Sequence, residues 1–253
     1  MRLLNIGAGP RGIPIPPHYH DWDVVRLDIE PTNEPDLVMD AMNLDTLEAG
    51  QFDAAYASHL LEHFYVFDLA RFLAGVRHVL TADGFAEFRV PNALRACQLA
   101  IEAGSLDAFC YQSPAGPITA WDMLYGWLPY QERYGEPMVH RNAFDTTRLT
   151  DTLNGHGFPL VYVAGTAWEL CAFGCKTDLP DEMKERMTID KRGPVHTDLR
   201  GADVGAAGQL RPVAELPLQH APGDSGDSLS PAKAAARRRS TQLPRATGLG
   251  ERL

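Results

Sequence analysis

Apolar positions along the chain change their spacing several times, and each change marks an element. Leu3–Ile6, Val24–Leu27, Leu37–Met39, Phe52–Ala57 and Phe85–Val90 are short apolar runs bounded by polar or turn-forming residues, and they predict five strands. Between the fourth and fifth runs, Leu69, Phe72, Leu73, Val76 and Leu80 recur at spacings of three and four, which places them on one face of a helix. Asp83-Gly84 predicts the turn into the fifth strand. Farther along, Thr146–Asn154 predicts a helix with Asp145 as N-cap and Gly155 or Gly157 as its stop. Leu160–Val163 and Trp168–Phe173 predict two closing strands. Strands alternating with helices imply an α/β fold with a mainly parallel sheet.

The pattern stops near residue 177. All 10 Phe, 8 Tyr, 4 Trp and 4 Cys precede residue 178. Residues 1–177 carry a net charge of −11 and residues 178–253 a charge of +1, which together make the −10 of the chain. The expected organisation is therefore one domain over 1–177 and a disordered tail over 178–253, because a segment without aromatic anchors buries too little apolar area to offset its ordering. A short helix is expected across Asp181–Met187, and Lys233 with Arg237-Arg238-Arg239 forms a basic cluster read as a solvated tail. The acidic body argues against nucleic acid as a partner. No apolar run is long enough for a secretory signal or a membrane span, and the four Cys include no CxxC pair, so a cytoplasmic location is expected. Cys171 and Cys175, four extended residues or about 13 Å apart, cannot form a disulfide and are expected as buried thiols.

Gly7-Ala8-Gly9-Pro10-Arg11-Gly12 places GxGxxG directly after the first strand, where ligands of open α/β sheets bind. Asp28 ends the second strand and is positioned to accept hydrogen bonds from ribose hydroxyls. A dinucleotide needs a helix N-terminus aimed at its pyrophosphate. Here Pro14, Pro16 and Pro17 prevent a regular helix, and only about a dozen residues precede the second strand. A nucleoside cofactor without a pyrophosphate suits this loop better.

Leu4–Pro10, Leu27-Asp28-Ile29-Glu30-Pro31, Asp40-Ala41, Phe52–His63, His78–Gly84 and Phe88–Asn92, taken in that order, resemble class I S-adenosylmethionine-dependent methyltransferases. The chain is most similar to a bacterial group of short methyltransferases whose glycine loop lies almost at the N-terminus, and Asp122–Gly126 and His140–Phe144 resemble that group's later segments. The resemblance spans roughly residues 1–176. It implies a Rossmann-like methyltransferase sheet, mainly parallel with an antiparallel last strand and helices on both faces. S-adenosylmethionine is the implied cofactor. Gly7, Ala8 and Gly9 would lie under its methionine part, Asp28 at the ribose, Asp40 at the adenine amino group with Ala41 and Met42 beside the ring, and Ser58 and His59 along the pocket.

Methyl transfer from a sulfonium asks the protein for alignment and, where the acceptor is a hydroxyl or ammonium, for somewhere to send a proton. His59, His63 and His140 are the candidates, with His59 first by position. The acceptor is expected to be a small molecule or glycan-type compound meeting residues 93–143, where Trp121, Tyr125, Trp127, Tyr130 and Tyr134 predict a helical, aromatic cover. His59-Leu60-Leu61-Glu62-His63 also matches HxxEH, a zinc-peptidase pattern that requires a helix and a third ligand. Glu62 and His63 are otherwise expected to begin the helix after the fourth strand, and no metal site is expected. His18-Tyr19-His20 is expected to be a polar loop. The shortened first crossover leaves a non-catalytic, methyltransferase-like partner protein as the alternative.

Overall fold

Five strands run parallel, each joined to the next by a crossover connection. They are β1 (Arg2–Ile6), β2 (Asp23–Asp28), β3 (Leu37–Val38), β4 (Phe52–Ser58) and β5 (Leu80–Pro91). The computed structural model describes residues 1–179, Lys184 and Glu185, and the backbone of Ala202–Val204 and Leu210–Pro212. Together with β8 (Leu160–Gly165) and β9 (Glu169–Cys175) the five form one sheet in the order β3-β2-β1-β4-β5-β9-β8. β9 is antiparallel to both of its neighbours. The order reverses between β1 and β4, the place where the carboxyl ends of strands open a ligand crevice.

Asp83-Gly84 lies inside β5 rather than in a turn before it. While β4 advances from Phe52 to Ala54, β5 advances from Leu80 to Phe85, so the turn chemistry produces a large bulge within a continuous strand. A Cβ on Gly84 would stand 3.0 Å from Leu80 Cβ, which shows how tightly the bulge folds back. Lys176 Nζ donates to the Leu80 and Thr81 carbonyls at 2.6 and 3.0 Å and satisfies the backbone freed there.

α1 (Leu69–Val79) buries Leu69, Phe72, Leu73 and Val76 as their spacing predicts, with Val79 completing the stripe and Leu80 starting β5. Asp145 caps α5 (Thr146–Gly155) by accepting from Arg148 N at 2.7 Å, and Leu149 and Leu153 face inward. Both helices contribute to one apolar layer with Leu4, Ile6, Ala55, Phe88, Val161 and Ala172. Among the described residues before the tail, the second face is covered by the 3-10 turn Pro17–Tyr19 in place of a longer helix, as the prolines require. Tyr19 and Trp22 pack there on Leu3, Tyr56, Phe85 and Phe173. His18-Tyr19-His20 is therefore not a polar loop: His18 and Tyr19 are buried, and only His20 is exposed.

Residues 93–143 hold more than helices. α2 (Ala93–Ala103) is followed by the hairpin β6 (Phe109–Ser113) and β7 (Gly116–Thr119), then by α3 (Ala120–Tyr125) and α4 (Leu128–Tyr134). Ala96, Ala100, Cys110, Ile118, Ala120 and Met123 form their own small core. The packed body reaches Leu179, which is buried against the second face. Beyond it the described residues are Lys184-Glu185, in a helical turn, and an antiparallel pair, β10 (Ala202–Val204) and β11 (Leu210–Pro212). The rest of the expected tail, with its basic cluster, lies outside the described residues. All four cysteines are free thiols. No helix among the described residues is long and apolar enough to cross a membrane.

Candidate functional site

The glycine loop is held by its own neighbours. Gly7 N and Ala8 N both donate to the Leu27 carbonyl, at 2.8 and 3.0 Å. Gly9 N donates to Asp28 Oδ2 at 2.7 Å, and Asp28 Oδ1 accepts from Glu30 N at 2.8 Å. Arg26 reaches back to the Gly9 carbonyl at 2.6 Å. Gly7 and Gly9 sit at φ +68° and +61°, where a side chain is strained. With its first three N–H groups occupied and the Ala8 and Gly9 carbonyls accepting from Arg26, the loop offers a ligand space rather than donors, which does not suit a pyrophosphate.

Met39 N donates to the Asp28 carbonyl at 3.0 Å, which brings the end of β3 beside the end of β2. Asp40 is exposed there; its Oδ1 caps Met42 N at 2.8 Å, and Ala41 turns into the core. Ile29 and Val38, 62% and 60% exposed, leave apolar surface beside Asp28 and Asp40 at this end of the sheet. Neither stood out in the sequence, because each reads as an ordinary strand residue.

Ser58 and His59 lie at the carboxyl end of β4, and Leu60 touches the glycine loop: a Cβ on Gly7 would stand 3.2 Å from Leu60 Cδ1. His59 takes φ +51°, an unusual conformation for a residue with a side chain. Its ring lies between two carboxylates, with Nδ1 3.3 Å from Glu62 Oε1 and Nε2 3.2 Å from Glu169 Oε1. Burial opposes its charge, but Glu169 and Glu62 push its pKa up to about 10, and the 45% exposure of its side chain moderates both pairs. Both carboxylates favour the protonated ring, which works against His59 as the base that its position suggested.

A chain of charges runs from His59 through the sheet. Glu169 Oε2 accepts from Arg89 at 3.3 Å, Arg89 Nε donates to Glu87 Oε1 at 2.8 Å, and Glu87 Oε2 meets His18 Nε2 at 2.8 Å. Glu87 is fully buried; burial opposes its charge, yet His18 and Arg89 hold its carboxyl below the usual range. The signal in the sequence was two charged residues, Glu87 and Arg89, at alternate positions of an otherwise apolar strand.

Leu61–His63 forms one 3-10 turn, separate from α1, so Glu62 and His63 do not begin that helix. HxxEH consequently never lies on a helix, and the peptidase geometry is not formed. His63 instead meets His140, with ring centroids 4.9 Å apart. The Glu62 carbonyl accepts from Arg141 N and Asn142 N at 2.7 and 3.0 Å, and the His63 carbonyl accepts from Arg141 at 2.6 Å. Burial lowers the pKa of His63 and of His140 and keeps both neutral. An open groove of about 420 Å³ adjoins them, walled by Leu124, Tyr125, His140, Arg141 and Arg148 among others. Of the five aromatic residues expected in a cover, Tyr125 is the one that lines this groove.

Residues 4–88 match the family model described as a methyltransferase domain. Those residues carry a methyltransferase domain. The glycine loop, β2 to β4 and α1 lie within them. Similar solved structures include an S-adenosylmethionine-dependent methyltransferase from Archaeoglobus fulgidus, at 14% identity, 69% of this chain, 86% of that one and a TM-score of 0.44. Another, from Methanosarcina mazei, shows 15% identity over 69% of this chain and 92% of that one, with a TM-score of 0.44. A 1,6-didemethyltoxoflavin-N1-methyltransferase from Burkholderia thailandensis shows 14% identity over 70% of this chain and 71% of that one, with a TM-score of 0.41. Among curated proteins, none matches the chain. The methyltransferase domain thus brings Gly7, Ala8, Gly9, Asp28, Asp40, Ser58 and His59 to one edge of the sheet, and the chain sets His63 and His140 beside one another next to them.

Proposed function

We propose that this enzyme methylates a small-molecule or glycan-type acceptor bound in the groove beside His140, and that it does so in the cytoplasm. The observation that carries the reading is the short connection between the two halves of the site. The Ser58–His63 segment touches the glycine loop through Leu60 and the groove wall through the bonds of Glu62 and His63 to Arg141 and Asn142. S-adenosylmethionine supplies an electrophilic methyl group and leaves as a thioether. Gly7, Ala8 and Gly9 give space to its amino-acid end, Asp28 and Asp40 receive its ribose and adenine, and Ser58 and His59 line its pocket. The proton of the acceptor leaves toward the cluster of Glu62, His63 and His140, whose imidazoles burial holds neutral. A groove of about 420 Å³ with an aromatic and cationic wall suits a compact polar acceptor. The acidic body and the free thiols support a partner other than nucleic acid and a reducing compartment. The shortened first crossover motivates a non-catalytic reading; the glycine loop after β1, Asp28 at the end of β2 and Ser58 at the end of β4 favour the catalytic one.

Titration calorimetry tests this directly. S-adenosylhomocysteine should bind one site per chain, and Asp28→Asn should weaken it by about 10- to 100-fold, the worth of hydrogen bonds to a charged group. Absence of binding by either form of the cofactor would overturn the reading. An acceptor screen should then find S-adenosylhomocysteine release with hydroxylated small molecules and not with nucleic acid.

A further inference from the structure

We propose that Glu62, His63 and His140 form a binding site for a divalent first-row transition-metal ion on the acceptor side of the methyl-transfer site. The location relative to the acceptor rests on the function proposed above; the ion's binding does not.

Glu62 is 1% exposed, yet neither of its carboxylate oxygens receives a hydrogen bond from a protein donor. Oε1 is paired with the His59 cation at 3.3 Å without a well-aligned hydrogen bond, and Oε2 has no hydrogen-bond partner. One exposed imidazolium leaves most of the lone pairs of this buried carboxylate uncompensated, which is costly unless a further cation or donor completes them. Two imidazoles stand around it, and one ligand-capable atom from each of the three residues lies within 4.8 Å of the other two. Ligand atoms on a tetrahedral ion with bonds of about 2.1 Å stand about 3.4 Å apart, a spacing that small side-chain rotations reach.

The tautomers are set by backbone acceptors. His63 Nδ1 lies 3.3 Å from the Val139 carbonyl, and His140 Nδ1 lies 3.1 Å from the Met123 carbonyl. A carbonyl only accepts, so each Nδ1 carries the hydrogen, and each neutral ring keeps its Nε2 lone pair for a ligand. A backbone carbonyl bonded to the far ring nitrogen is the usual support of a metal-binding imidazole. Rigidity is supplied by the same bonds that join Glu62 and His63 to residues 139–142, so the ligands are assembled before any ion arrives. Two imidazoles and one carboxylate suit zinc, cobalt, manganese or iron(II) better than magnesium or calcium. Three protein ligands leave a coordination position open, and the adjoining groove places the acceptor's oxygen within its reach. With the ion bound, the imidazoles act as ligands in place of a base, the ion makes the acceptor's hydroxyl more acidic, and its proton passes to solvent through the open groove.

The full-length protein, stripped with a chelator, should bind one Co2+ per chain and show the visible absorption of cobalt bound by nitrogen and oxygen. Glu62→Gln and His140→Ala should each weaken Co2+ binding by about 100-fold, the upper end of the effect of losing even a supporting contact. Both should retain S-adenosylhomocysteine binding, whereas Asp28→Asn should lose that and retain Co2+, so failure of one proposal is separable from failure of the other. Cadmium-113 resonance of the wild-type protein reads the donors without any substitution and should fall in the nitrogen–oxygen range. Co2+ binding that is equal in wild type and both variants, or a cadmium shift typical of thiolate ligands, would overturn the site.

Discussion

On one face of the sheet, Phe88, Val90, Leu170 and Ala172 meet Phe72, Leu149 and Leu153 with no charge among them. On the other face, the intervening residues of the same two strands are Glu87, Arg89, Glu169 and Cys171, closed off by His18 and Tyr19. The alternation of β5 carries both environments at once: even-numbered residues from Ala86 to Val90 are apolar, and the charged Glu87 and Arg89 lie between them. The second face is not polar throughout, since Phe85 and Phe173 pack there with Trp22 and Tyr19. Along β5, charge enters this face toward the carboxyl end of the strand. The helix-covered face holds the sheet together. The other trades some of that apolar packing for a chain of ion pairs ending at His59.

The sharpest way to break this comparison is Glu87→Gln. It leaves Arg89 and His18 without their buried anion and should cost about 4 kcal/mol in denaturant unfolding, within the range for removing one member of a buried pair. The loss should shrink as pH falls below about 4.5, because the wild-type carboxyl is held low in the folded state and its contribution disappears as it protonates. Leu149→Ala on the opposite face should cost about 3 kcal/mol through lost burial and a residual cavity, with the same value at pH 5 and pH 8. Equal pH dependence of the two variants would remove the distinction between the faces. The smallest effect belongs to His59. Its pKa is raised to about 10, so its pairing stabilises the fold fully below about pH 6.5 and is lost as pH rises toward 10. A shallow fall in stability across that range should be present in wild type and absent in His59→Asn.

The strands, the stripe of α1 and the cap of α5 were legible in the sequence because each is a local decision: alternation, a spacing of three or four, an Asp before a helix. The glycine loop and Asp28 were legible for the same reason, lying at the ends of recognisable strands. Partnerships across long separations were not. His18 meets Glu87 across 69 residues, and His59 meets Glu169 across 110, distances over which no local pattern signals a contact. His59 therefore reads as a free base from its neighbours and turns out to be a cation held by two acids. Glu62 shows the converse: its neighbours suggest a helix start, and only the arrival of residues 139–142 makes it the centre of a cluster. The turn written in Asp83-Gly84 was also real, but the surrounding ladder absorbed it as a bulge.

His59 sits at φ +51°, a conformation that costs a side-chain-bearing residue roughly 1 kcal/mol and costs glycine almost nothing. Backbone strain and ion pairing therefore pull this position in opposite directions. Glycine there would relieve the strain and forfeit both ion pairs, whereas the imidazole keeps the pairs and accepts the strain. The backbone of this one residue marks where the molecule stores a little strain to hold a charge between two acids.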